Sequence, residues 1–86
     1  MNWGFLLANK AQRAFRTIPA SDRQRINKAL NEMKIDPLTG DIVALRGEYR
    51  GQFRRRVGSW RIIFELDATA KVILIHDIAR HTSTTY

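Results

Sequence analysis

The chain has 86 residues and no cysteine, and its 15 lysines and arginines against 8 aspartates and glutamates give a formal net charge of +7. A chain of this length has room for a single small core, so residues 1–86 are predicted to form one domain. The lack of cysteine excludes disulfides and thiolate metal sites. No apolar run is long enough to cross a bilayer, and the N-terminus lacks the basic stretch of a secretory signal, so we expect a cytoplasmic protein.

The first half of the sequence predicts a short strand followed by two helices. The apolar run 3–7 is typical of a strand. Apolar residues then recur at three- and four-residue spacing, which indicates a helix that Pro19 ends: Ala8, Ala11, Ala14, Phe15 and Ile18. A second helix is predicted to begin at Ser21, with Gln24 as its capping-box partner, and to end at Asp36.

The second half predicts a loop and then three strands. Residues 37–51 contain three glycines and a short apolar patch and are interpreted as a loop. Side-chain polarity then alternates over 52–57 and 60–66, and the Gly58-Ser59 pair between them fits a tight hairpin turn. Residues 72–79 are apolar on both faces and are expected to form an interior strand. The pattern predicts an α+β fold, with an N-terminal strand and a two-helix hairpin packed on one face of an antiparallel sheet.

Six of the eleven arginines lie within residues 46–61, where Glu48 is the only acid. A guanidinium group keeps its proton and matches phosphate oxygens in shape, so such a cluster favours a phosphate-bearing partner. RNA or DNA is the first interpretation. A docking surface for an acidic protein is the alternative that the composition leaves open.

Strand alternation places some of these arginines on one face. Phe53 and Val57 are expected to face the core, which would direct the residues between them, except Arg55, to the other side. Five side chains are expected to line one concave surface: Arg54, Arg56, Arg61, Arg80 and Tyr86. Arg55 breaks the alternation and is expected to lie at a sheet edge or in a bulge.

These residue types suit cleavage of a phosphodiester by a ribose 2′-OH. Fixed guanidinium groups would stabilise the charge that develops on the phosphate, and a tyrosine ring can stack on an unpaired base. His76 lies within an apolar strand and is expected to be a hydrogen-bonded histidine of the core or its rim, whereas His81 lies in a polar tail. The residue pattern indicates no metal site and no cofactor.

Three segments together resemble RelE-type toxins of the RelE/ParE superfamily. Leu45-Arg46-Gly47 precedes the basic strand, residues 53–64 match the basic strand, glycine turn and aromatic-arginine-aliphatic strand, and residues 78–86 resemble the last strand with its arginine and terminal tyrosine. The resemblance covers nearly the whole chain. It implies a type II toxin, a ribosome-dependent endoribonuclease, with a cognate antitoxin, the ribosome and mRNA as partners and operator DNA as a target of the toxin–antitoxin complex.

The resemblance also implies residue roles. Arg61 would stabilise the transition-state phosphate, Arg80 would bind the phosphate, and Tyr86 would orient a base. Arg54 and Arg56 would hold RNA, as would Arg46 in the preceding loop.

The sequence departs from the family at the basic strand, where lysine is common. Arginine does not take up a proton as lysine can, so the family's usual general base is missing. We therefore predict either that His81 is the base or that catalysis depends on positioning and electrostatics. The alternatives are a ParE-like DNA gyrase inhibitor that acts by binding, and a catalytically degenerate relative that binds an antitoxin.

Overall fold

The computed structural model describes residues 2–80, in which two helices cover one face of a five-stranded sheet. The elements in chain order are β1 (Gly4–Leu7), α1 (Asn9–Thr17), α2 (Ala20–Ile35), β2 (Asp41–Ala44), β3 (Gln52–Val57), β4 (Trp60–Asp67) and β5 (Val72–Arg80). A single 3₁₀ turn, Gly47–Tyr49, lies between β2 and β3. The predicted α+β class, with both helices on one side of the sheet, is confirmed.

The strand order in the sheet is β1-β5-β4-β3-β2. The strands from β2 to β5 form an antiparallel meander, whereas β1 pairs with β5 in parallel, so the sheet is mixed. Because β1 and β4 flank β5 on its two sides, the prediction of an interior strand over 72–79 is confirmed. The Gly58-Ser59 hairpin is confirmed as well: Gly58 has φ +59°, which suits the first central position of a type II′ turn.

The core lies between the helices and the near face of the sheet. Apolar residues recur on the inner helix faces and on alternate strand positions because only those positions point into this layer. Fully buried side chains come from both layers: Ala11, Ile26, Met33, Ile62, Phe64, Ile73, Ile75 and Ile78. The far face of the sheet has no helix over it within residues 2–80.

Two local predictions are wrong. Helix α2 begins at Ala20, with Pro19 as its N-cap and no side-chain capping bond, so Ser21 lies inside the helix and forms no capping box with Gln24. Residues 37–51 are not all loop, because the apolar patch contains strand β2, which pairs with β3. This strand is short and lies at the sheet edge, mostly exposed, and its sequence pattern is correspondingly weak.

Strand β5 contains one extra residue relative to β4. Ile63 pairs with Asp77 and Phe64 pairs with Ile75, so His76 is the bulged residue. A bulge shifts the alternation of side chains between the two faces. Buried residues on β5 consequently change from Ile73 and Ile75 to Ile78, which strict alternation would not allow.

Candidate functional site

Three arginines lie together on the sheet face that points away from the helices. Arg56 on β3 is directly opposite Arg61 on β4, and Arg54 is opposite Ile63 on the same side. Directly opposed residues in an antiparallel pair have Cβ atoms about 5 Å apart, and like charges there repel. We call Arg54, Arg56 and Arg61 the arginine face, and its chemistry fits an anion bound between the guanidinium groups.

Contacts within the protein hold two of these side chains in place. The Arg54 side chain is only 14% exposed, and its Nη2 lies 3.6 Å from Oδ1 of Asp41 on the neighbouring strand. Arg56 donates from Nε to the carbonyl oxygen of Gly58 in the hairpin turn, at 3.4 Å. Partial ordering of both arginines lowers the entropy cost of binding a phosphate.

Arg80 does not join this face. It pairs with Trp60 across the sheet, and its guanidinium carbon lies 4.9 Å from the centroid of the Trp60 ring. Trp60 packs against the core on the helix side, so Arg80 lies on that side too. The prediction of one surface shared with Arg54 and Arg61 is wrong for Arg80, because the bulge at His76 reverses the alternation before the strand ends.

The other predicted site residues lie away from the arginine face or outside the described residues. Arg46 follows β2 and lines a shallow groove of about 440 Å³ together with Val43, Leu45 and Tyr49. Leu45 is bonded to Gln52, at the opposite end of β3 from Arg56, so Arg46 lies at the far end of the sheet from the Arg56–Arg61 pair. His81 and Tyr86 fall outside residues 2–80.

Arg55 has a structural position that the sequence did not predict. It lies in continuous pairing with Ile42 and Ile62, so it is neither at an edge nor in a bulge. Its side chain faces the helices, is buried, and donates from Nη2 to Oε1 of Glu32 at 2.7 Å. The only sequence signal for this ion pair was the break in alternation at Arg55.

A histidine–carboxylate pair lies on the same sheet face as the arginines. Nε2 of His76 is 3.0 Å from Oε1 of Glu65, and the two side chains are 39% and 43% exposed. His76 is thus hydrogen-bonded and half exposed, in agreement with the predicted rim position. Across residues 2–80, no group of three or more histidine, aspartate or glutamate side chains is arranged to hold a metal ion.

The described part of the chain has no helix with the length and apolar character of a membrane span. No protein-family model matches the sequence, and no curated protein matches it. Solved structures do match the fold. A chain of the RelBE2 toxin–antitoxin complex from Mycobacterium tuberculosis has a TM-score of 0.83 at 20% identity, covering 94% of this chain and 100% of that one.

Two further structures give the same result. A chain of the archaeal RelE–RelB complex from Pyrococcus horikoshii has a TM-score of 0.83 at 20% identity, covering 98% of this chain and 100% of that one. The YoeB/ParE toxin from Agrobacterium tumefaciens has a TM-score of 0.80 at 15% identity, with coverages of 92% and 99%. The predicted resemblance to the RelE/ParE superfamily is therefore confirmed at the level of structure, and this chain has the fold of the RelE toxin structures.

Proposed function

We propose that this protein is the toxin of a type II toxin–antitoxin pair and that it cuts mRNA on the ribosome by attack of a ribose 2′-OH. The observation that carries the nuclease part is the arginine face, with Arg56 directly opposite Arg61 on the uncovered side of the sheet. Three guanidinium groups at this spacing suit a phosphate that gains negative charge during the reaction. The fold shared with toxin structures supports the toxin part.

In this proposal Arg61 stabilises the phosphate in the transition state, and Arg54 and Arg56 hold the RNA backbone. Arg46 would contact RNA further along the sheet. Arg80, His81 and Tyr86 remain predictions from the resemblance, and the contact of Arg80 with Trp60 does not favour its role at the same phosphate. The proposed reaction requires no metal and no cofactor.

The proposed partner in storage is a cognate antitoxin with an acidic or amphipathic segment. Two of the similar structures are complexes of a toxin with its antitoxin, which supports such a partner here. An acidic segment over the arginine face would neutralise the charge and exclude RNA at the same time. We also propose that the toxin–antitoxin complex binds operator DNA and that the free toxin acts in the cytoplasm, where ribosomes translate mRNA.

Primer extension on mRNA from cells briefly induced for this chain tests the proposal. We expect new 5′ ends within translated regions and none in untranslated RNA of the same cells. Growth arrest with intact mRNA, together with stabilised cleaved DNA complexes, would instead indicate a gyrase inhibitor. Normal growth with intact mRNA would indicate an inactive relative that binds an antitoxin.

The salt dependence of RNA binding should decrease when Arg54 and Arg56 are both changed to Ala. Each phosphate contact contributes about 0.7 to the slope of log K against log salt for a single strand, so two lost contacts should lower the slope by about 1.4. Fluorescence anisotropy with a 2′-O-methyl RNA oligonucleotide measures this without cleavage, because the attacking hydroxyl is blocked.

The matched control is Arg13→Ala with Arg16→Ala, which removes two exposed arginines from helix α1. An unchanged slope in the strand variant, or an equal decrease in the helix variant, would place the phosphate contacts outside the arginine face.

A further inference from the structure

The bulge in β5 places His76 beside Glu65 on the uncovered sheet face. His76 is the one extra residue of β5, and its Nε2 lies 3.0 Å from Oε1 of Glu65 on β4. Bulges occur next to active sites, where they redirect a side chain. Here the bulge turns a histidine toward a carboxylate, and that arrangement fixes the orientation of the imidazole ring.

This His76–Glu65 pair lies close to the arginine face. Ile63 is flanked by Arg54 on one neighbouring strand and by Asp77, the residue after His76, on the other. Neighbouring strands are about 4.8 Å apart, so the backbones at Arg54 and His76 are separated by about 10 Å. A phosphodiester placed between them would contact guanidinium groups on one side and the imidazole on the other.

Ile63 provides the floor of this region. It is only 4% exposed, although it is not part of the helix-side core cluster. Its burial on the uncovered face means that the surrounding side chains close over it. An apolar floor of this kind lowers the local dielectric and strengthens the interaction between fixed charges and a bound phosphate.

The chemistry of the pair supplies what the arginines lack. Arginine does not accept a proton near neutral pH, whereas imidazole does. With Nε2 bonded to Glu65, the other ring nitrogen, Nδ1, makes no hydrogen bond to any residue within 2–80. A carboxylate that orients one ring nitrogen and leaves the other for proton transfer is the arrangement of general-base catalysis.

We propose that His76 is the general base for the cleavage reaction and that Glu65 is its positioning residue. The inference rests on the proposed nuclease function. Nδ1 of His76 takes the proton of the 2′-OH, the 2′ oxygen forms a bond to phosphorus, and the bond from phosphorus to the 5′ oxygen breaks. The 5′ oxygen takes a proton from solvent, and the imidazolium returns its proton to solvent, leaving a 2′,3′-cyclic phosphate and a 5′-OH.

The charged groups around His76 come from three elements. Glu65 lies on β4, Asp77 follows His76 on β5, and Lys10 of helix α1 is ion-paired with Asp77 at 3.4 Å. Arg54 faces the same region from β3. The Lys10–Asp77 pair offsets one negative charge, which leaves Glu65 as the carboxylate in hydrogen-bond contact with the ring.

The test uses single-turnover cleavage on programmed ribosomes, with His76→Gln, Glu65→Gln and His81→Gln compared with the wild type. Glutamine keeps a hydrogen-bonding side chain at position 76 and cannot act as the base. We expect His76→Gln to lower the rate by about 100-fold, with unchanged ribosome binding and loss of the inflection in the pH–rate profile. Glu65→Gln should lower the rate less and move the inflection.

Three other results would overturn the proposal, and they differ in what else they reject. A His76→Gln rate within twofold of wild type, with Arg61→Ala inactive, would reject the base while the nuclease function stands. Loss of the inflection in His81→Gln alone would assign the base to His81. No cleavage by the wild-type protein would reject the nuclease function and this inference together. Thermal melts of each variant show whether a low rate reflects unfolding.

Discussion

Arg61→Ala should lower the rate of ribosome-dependent cleavage by about 1,000-fold and abolish growth arrest. Removal of a single fixed group that stabilises developing charge typically costs 100- to 1,000-fold in kcat, and Arg61 lies at the centre of the arginine face. It is half-buried between Arg56 and Ala79 on its two neighbouring strands, so its position is well determined. Single-turnover cleavage of mRNA on programmed ribosomes measures the rate.

Two comparison variants make this result specific. Arg13→Ala removes an exposed arginine from helix α1 and should leave the rate within about twofold of wild type, since it lies on the other side of the molecule from the arginine face. Arg61→Lys keeps the charge and loses the planar fork, so its rate should fall between the wild type and Arg61→Ala. Growth arrest by Arg61→Ala would contradict the nuclease proposal and favour a toxin that acts by binding.

Glu32→Ala should lower the free energy of unfolding by about 2 kcal/mol. Its carboxylate accepts the 2.7 Å hydrogen bond from Arg55, whose side chain is only 9% exposed. Without Glu32, the buried guanidinium retains a long 3.4 Å contact from Nη1 to the carbonyl of Ala29. Because Glu32 itself is 47% exposed, the effect should be smaller than the 3–5 kcal/mol typical of a fully buried broken pair.

Chemical denaturation of the two variants Glu32→Ala and Glu48→Ala measures this effect. Glu48 is an exposed glutamate in the 3₁₀ turn, and its loss should change stability by less than about 0.5 kcal/mol. Combining Glu32→Ala with Arg55→Leu should recover part of the lost stability, because no buried charge is then left unpaired. Equal destabilisation by the two glutamate variants would show that the Arg55–Glu32 pair is not a stabilising contact.

Gly40 belongs to the same structural unit. It has φ +89°, and a Cβ atom added there would lie 2.8 Å from Cζ of Arg55. The loop after α2 therefore passes directly over the buried guanidinium, and only glycine combines this backbone conformation with the space available. The Arg55–Glu32 pair and Gly40 together fix the position of the loop that leads from α2 into β2.

Much of the fold could be predicted because the sequence contains local signals for it. The helices were recognisable from apolar residues at three- and four-residue spacing, and the β3–β4 hairpin from alternation around Gly58-Ser59. The start of α2 was placed wrongly because Ser21 and Gln24 match a capping box that the structure does not use. Strand β2 was missed because an exposed edge strand needs few apolar residues.

The candidate site was predicted only in part. Alternation along β3 and β4 was sufficient to place Arg54, Arg56 and Arg61 on one face, because consecutive strand residues point to opposite sides. The same rule failed for Arg80, because one bulged residue reverses the alternation and nothing in the local sequence marks its position.

The sequence by itself determined the class of the fold, the excess of positive charge and the three arginines that share a sheet face. These depend on local periodicity and composition, which each segment carries on its own. Only the tertiary structure decided which distant residues meet: Arg55 with Glu32 on α2, Arg80 with Trp60, and His76 with Glu65. Such pairs depend on strand register and on how helices lie over the sheet, and a single extra residue in β5 was enough to change two of them.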